Sequence, residues 1–160
     1  MKTKNIIIVI SVLFNIILIT YVLLKESHLK DVYSNLSFGL QNDLVQLESA
    51  MDYQNNNKWN DENVVLEKIE DVREGINQLM VTGINVGMIT KSQENDLWTL
   101  YRHFANFPTY TGFPNTKLEN NDINELIRLR DDLRSAGWGM DLGYSSDWAS
   151  FSMKIEDLTN

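Results

Sequence analysis

Cysteine is absent from this 160-residue chain, and histidine and proline occur only twice each. Without cysteine there is no disulfide framework, no thiolate nucleophile, no cysteine-ligated zinc and no lipid-modified cysteine anchor. Basic residues are scarce beyond the N-terminus. Lys2 and Lys4 come first, leaving 12 basic against 22 acidic groups in residues 25–160, a net charge of -10. An acidic domain with no basic cluster repels phosphate backbones and anionic headgroups, so neither nucleic acid nor anionic lipid is an expected partner. The frequent Asn, Ile and Lys would suit an AT-rich bacterial genome, which is a compositional hint only.

What the chain does contain, at once, is a long apolar run. Residues 5–24 read NIIIVISVLFNIILITYVLL, with no charge, glycine or proline, and fifteen of the twenty are Leu, Ile, Val or Phe. Twenty helical residues at 1.5 Å rise span about 30 Å, the thickness of a bilayer hydrocarbon core. On an insertion scale these side chains sum to about -4 to -9 kcal/mol at most, more than Asn5, Ser11, Asn15 and Thr20 take back. A cleaved signal peptide has a shorter apolar stretch and a small-x-small site. Here the first alanine is Ala50, and Lys25-Glu26-Ser27-His28 follows the run. The expectation is an uncleaved signal anchor: residues 1–4 a short cytoplasmic tail, 5–24 the span through the lipid bilayer, and 25–160 an acidic extracytoplasmic domain on the cell envelope. Lys and Arg near the two ends are almost balanced, but a four-residue tail leaves nothing to fold inside. Asn15 lies one turn from Ser11. Its plain role is a bond to its own backbone; the alternative is self-association through Ser11 and Asn15.

Beyond residue 25 the pattern is helical throughout. Apolar residues at 29, 32/33, 36, 40, 44, 47 and 51 follow the 3-and-4 spacing of one helical face, so the membrane helix is expected to continue outward, weakened only at Gly39. A second helix starts near Asn60-Asp61-Glu62, carries Val65, Ile69, Val72, Ile76 and Leu79/Met80, and should stop at Gly83. Thr90 with Gln93 fits a capping box for a third, which bears Leu97, Leu100/Tyr101, Phe104 and Phe107 and is closed by Pro108. Asp122 with Glu125 is expected to box a fourth, ending at Gly137. A glycine-rich turn then leads to a last helix capped by Ser145 or Ser146, with Trp148, Phe151, Ile155 and Leu158 inward. The predicted fold is all-α: an N-terminal transmembrane helix followed by a four- to five-helix bundle.

Motifs for chemistry are missing. His28 and His103 have no second ligand at helical metal spacing, and no phosphate loop, dinucleotide fingerprint or serine-hydrolase elbow occurs. No metal or other cofactor is expected. His103 reads as a solvated side chain of the third helix. Glu67, Glu70, Asp71 and Glu74 share one helix face, but calcium loops use tighter, turn-based spacing, so this is a solvated surface softened by Lys68 and Arg73. Asp131-Asp132 between Arg130 and Arg134 reads as a salt-laced surface in the same way.

Aromatic residues rise above that background. Ten of the sixteen lie between Trp98 and Phe151. Phe107, Tyr110 and Phe113 flank two prolines, while Trp138 and Tyr144 sit among glycines. Rigid loop aromatics make contact anchors, and these five form a candidate binding patch; alternatively both loops fold back to plug the end of the domain. Three functions remain open. The first is a non-catalytic membrane-anchored interaction or accessory protein with a protein partner. The second is a small-ligand or peptide sensing domain acting with a membrane signalling partner. The third is an envelope hydrolase using carboxylates such as Asp131, Asp141 or Asp147.

Overall fold

The structure, a computed structural model, describes residues 2–110, 117–140 and 147–159, with side chains from residue 6 onward. Among these residues there are five α-helices and no strand: α1 (Lys2–Asn56), α2 (Asn63–Asn85), α3 (Lys91–Phe104), α4 (Asn120–Leu133) and α5 (Trp148–Thr159). A single wider π turn, Arg134–Trp138, extends α4.

The apolar run and the first stripe of the outer domain form one unbroken helix of 55 residues. At 1.5 Å per residue it is about 80 Å long. Gly39 does not interrupt it; the helix runs through that position unbroken. The two halves of α1 differ in burial. Every large apolar side chain from Ile6 to Leu24 is about half exposed or more, whereas Leu40, Leu44, Leu47 and Met51 are enclosed. One window of the exposed half has a mean hydropathy of 2.9, long and apolar enough to cross a membrane.

Around the second half of α1 pack α2 and α4; α3 lies on α2, and α5 bridges α3, α4 and the π turn. The α2 stripe Val65, Leu66, Ile69, Val72, Ile76 and Leu79 is completely buried and shares one hydrophobic core with Leu97, Leu100 and Phe104 of α3, Leu126 and Leu133 of α4, and Phe151 and Ile155 of α5. Non-polar area removed from water drives this assembly, at roughly 25 cal/mol per Å².

Caps delimit the helices, in places one turn from where the pattern puts them. Thr90 and Gln93 form the expected reciprocal box on α3. For α4 the box is Glu119 with Asp122, one turn before the expected Asp122 and Glu125. The Glu62 carboxylate also accepts from the Leu118 amide at 2.8 Å, which pins the chain entering α4 to the start of α2. On α5 the first-turn amide of Ser150 donates to Asp147 Oδ1 at 2.9 Å, so Asp147 does the capping; the expected Ser145 and Ser146 lie outside the described residues. Gly83 does not end α2. It is a buried helical residue, and the stop comes at Gly87, where φ is +67° and the amides of Gly87 and Met88 bond back to Ile84 and Gly83. That double bond-back is a Schellman closure, which needs its left-handed residue after the last helical turn.

Candidate functional site

The site is built on the part of α1 between the apolar run and the enclosed core. Lys30, Tyr33, Ser34, Ser37, Phe38 and Gln41 recur at helical 3-and-4 spacing and therefore share one face. Opposite stand Met88 from the α2–α3 turn, Gln93 in the first turn of α3, and Asp147 and Trp148 at the start of α5. Together they line an open cleft of about 440 Å³, within the size range of small-molecule sites.

Its walls are fixed by contacts beneath them. The Tyr33 ring stacks on Trp148 with centroids 6.1 Å apart. Trp148 Nε1 donates to Asp96 Oδ2 at 2.9 Å, and Ser152 Oγ donates to the same oxygen at 2.9 Å, so one α3 carboxylate locks two positions of α5. Trp148 also meets Phe151 edge-on at 5.2 Å. The Tyr33 hydroxyl is buried with no hydrogen-bond partner among the described residues, and burial raises its pKa far above the usual phenol range. At the rim, Lys30 pairs with Glu26 at 2.7 Å, and bonds from Ser150 hold the Asp147 carboxyl below its ordinary value. Neutral hydrogen-bonding groups, one apolar wall and a single charge of each sign make this an amphipathic pocket. It can orient a peptide segment or a small molecule; among the described residues no nucleophile is paired with a base there.

The chain matches no family model, no curated protein and no solved structure. Its functional reading therefore rests on this geometry.

The aromatic patch read from the sequence is distributed differently. Trp138 is completely buried, edge-on to Phe151 at 6.1 Å and with Lys154 Nζ 5.8 Å from its ring centre. Lys154 Nζ donates to the Gly137 carbonyl at 2.8 Å, closing the turn over the indole. Instead of standing exposed among glycines, this tryptophan is core, because the π turn and Gly137 (φ +92°) swing the chain inward. Phe107 and Tyr110 are half-buried against the core. Phe113 and Tyr144 lie outside the described residues.

His103 also departs from expectation. It is half-buried, not solvated: its ring meets Phe104 at 5.5 Å and Phe107 at 5.6 Å, and Nε2 is enclosed without a partner among the described residues. Burial lowers its pKa, and nearby Asp132 opposes that only in part. The arginines of α4 do more than lace a surface. Arg130 joins Asp131 at 2.7 Å but also reaches Asp52 of α1, and Arg134 covers the buried Glu48. Asp131 and Asp147 are thus engaged in an ion pair and a helix cap respectively, and Asp141 lies outside the described residues. On the acidic face of α2, Lys68 bonds Asp71 at 2.8 Å. In the apolar half of α1, Asn15 Nδ2 donates to the Ser11 carbonyl at 2.9 Å, the backbone bond expected of a polar residue in such a helix.

The pocket itself was not foreseen. Of its residues the apolar periodicity marks Tyr33 and Trp148, both as inward-facing, and nothing in it marks Ser34, Ser37 or Gln41. The available signal was the lack of charge along that face between Lys30 and Gln41.

Proposed function

We propose that this is a single-pass membrane protein that displays an acidic helical bundle outside the cytoplasm and acts as a non-catalytic interaction or accessory protein. The observation that carries the reading is the two-part character of α1, exposed and apolar over residues 6–24 yet core-forming from Leu40 to Met51. A helix apolar on every face suits lipid, and its direct continuation into the core makes anchor and domain one mechanical piece. Lys2 and Lys4 ahead of the span are compatible with the N-terminus inside. The domain engages a protein partner, and the cavity between α1, the α2–α3 turn and α5 receives a segment of it. Of the loop aromatics, Phe107 and Tyr110 offer their half-exposed edges as a second contact. Self-association through Ser11 and Asn15 would use the amide oxygen that Asn15 does not commit to its own helix.

Protease treatment of intact cells, combined with a photo-crosslinking residue at Phe38, tests both halves. External digestion of residues 25–160 and a discrete crosslinked product, abolished by Ser37→Trp in the pocket, are expected. Protection of the domain in intact cells would overturn the orientation, and the absence of a crosslink that depends on the pocket would overturn the partner.

The second reading is a small-ligand or peptide sensor working with a membrane signalling partner. It is favoured by the size of the cavity and its mixed lining. Thermal shift of the full chain against envelope metabolites separates the two.

A further inference from the structure

The stretch Gly75–Thr90 carries no charged residue, in a chain of which 22% is charged. It comprises the last turns of α2 and the turn into α3. Val81 and Ile84 are 45% and 48% exposed, and Val86 and Met88 beyond them are half-buried. Single exposed apolar side chains occur elsewhere on the domain, at Met140 and Met153; here they coincide with a stretch free of every charge.

The place of this stretch in the fold suggests what it faces. Gly75 lies against Leu40 and Asp43 of α1, and Gly83 against Tyr33. Descending α2 thus runs antiparallel to α1, back toward the apolar segment. Tyr33 is nine residues past Leu24, about 14 Å of helix, and the turn at 85–88 reaches a few ångströms closer still. The interfacial layer beyond the hydrocarbon is roughly 5–7 Å deep on each side. A tilt of about 20°, the average for spanning helices, lowers a helix packed roughly 8–10 Å from the axis by about a further 3 Å, which brings the turn to the outer edge of that layer.

We propose that the α2–α3 turn is a second membrane contact, an uncharged tip that seats the domain on a zwitterionic lipid surface through Ile84, Val86 and Met88. The proposal rests on reading residues 5–24 as the anchor. Zwitterionic lipid is the partner because the tip has no cation to attract anionic headgroups, and the domain as a whole repels them. The partial burial of apolar side chains at the interface supplies the attraction. Met88 belongs to both the tip and the cavity wall, so seating the tip holds the mouth of the cavity beside the bilayer, where a membrane-embedded partner would present a juxtamembrane segment.

The absence of cysteine makes the test direct. Single-cysteine variants of the full chain, Ile84→Cys, Val86→Cys, Ile17→Cys and Tyr53→Cys, are labelled with an environment-sensitive fluorophore and reconstituted in phosphatidylcholine vesicles. Quenching by lipids carrying a nitroxide at the headgroup or deep in the acyl chain is then read. Expected are blue-shifted emission and loss of fluorescence to the headgroup quencher at 84 and 86, loss to the deep quencher at 17, and no loss at 53. Quenching at 17 with positions 84 and 86 as unquenched as 53 overturns the tip contact and leaves the anchor standing. No quenching at 17 overturns the anchor and the tip together.

Discussion

Glu48 of α1, only 1% exposed, has its carboxylate covered by Arg134, which donates from Nε at 2.8 Å and also from Nη2. Arg134 continues to Asp52 at 3.3 Å, and Arg130 approaches the same Asp52 oxygen at 3.5 Å. Two arginines one turn apart, on α4 and the π turn that extends it, thus face two carboxylates one turn apart on α1. The arginine is half exposed while its partner is enclosed, so the energetic weight lies on the glutamate. Arg134→Ala should destabilise by about 1–3 kcal/mol, because it strips the partner from a buried acceptor. Glu48→Leu with Arg134→Leu should restore most of the loss. Urea denaturation of the parent and the two variants checks this, and equal losses in the single and double variants would refute it.

Gly83 packs against Tyr33 of α1 and Ile89 of the α2–α3 turn. A Cβ there would stand 2.6 Å from Ile89 Cγ2 and 3.0 Å from Tyr33 Cε2. Gly83→Ala therefore forces the α2–α3 turn outward and should cost roughly 1–3 kcal/mol, despite alanine's better helix propensity. Gly39→Ala, where the space is open, should be neutral or stabilising. Comparing the two by thermal denaturation separates packing from propensity.

His103 makes stability depend on pH. Its folded pKa lies below the ordinary 6.5 because burial penalises the charged ring, and Asp132 only partly offsets this. A depressed folded pKa means the unfolded chain takes up the proton first. The neutral ring's contribution is complete above pH 6.5 and is lost as pH falls through that value toward the folded pKa. The expected outcome is a decline in unfolding free energy on acidification below pH 6.5 that is flattened in His103→Gln. An identical slope in that variant would contradict the assignment.

Tyr33→Phe removes a buried hydroxyl that no described group satisfies, while keeping the ring on Trp148. An unsatisfied buried polar group costs about 1–3 kcal/mol, so the variant should be at least as stable as the parent. It should also leave the crosslink at Phe38 intact. Tyr33→Ala, which removes the stacked wall itself, should lose both stability and crosslinking.

Composition and periodicity alone determined the helical class, the long apolar N-terminal helix and most of the residues that make the core stripes of α2, α3 and α5. These depend on spacing along one chain, and a period of 3.6 residues is visible wherever apolar side chains repeat. The Thr90–Gln93 box was legible for the same reason: both partners lie within one turn. Only the tertiary structure decided the rest. Trp138 left the surface because a π turn and the left-handed Gly137 redirected it, and His103 lost its water to two neighbouring phenylalanines. The cavity exists because Met88, Gln93 and Trp148, far apart in sequence, meet the Tyr33 face of α1. Contacts of that kind are set by how helices pack rather than by local spacing, so no run of residues announces them.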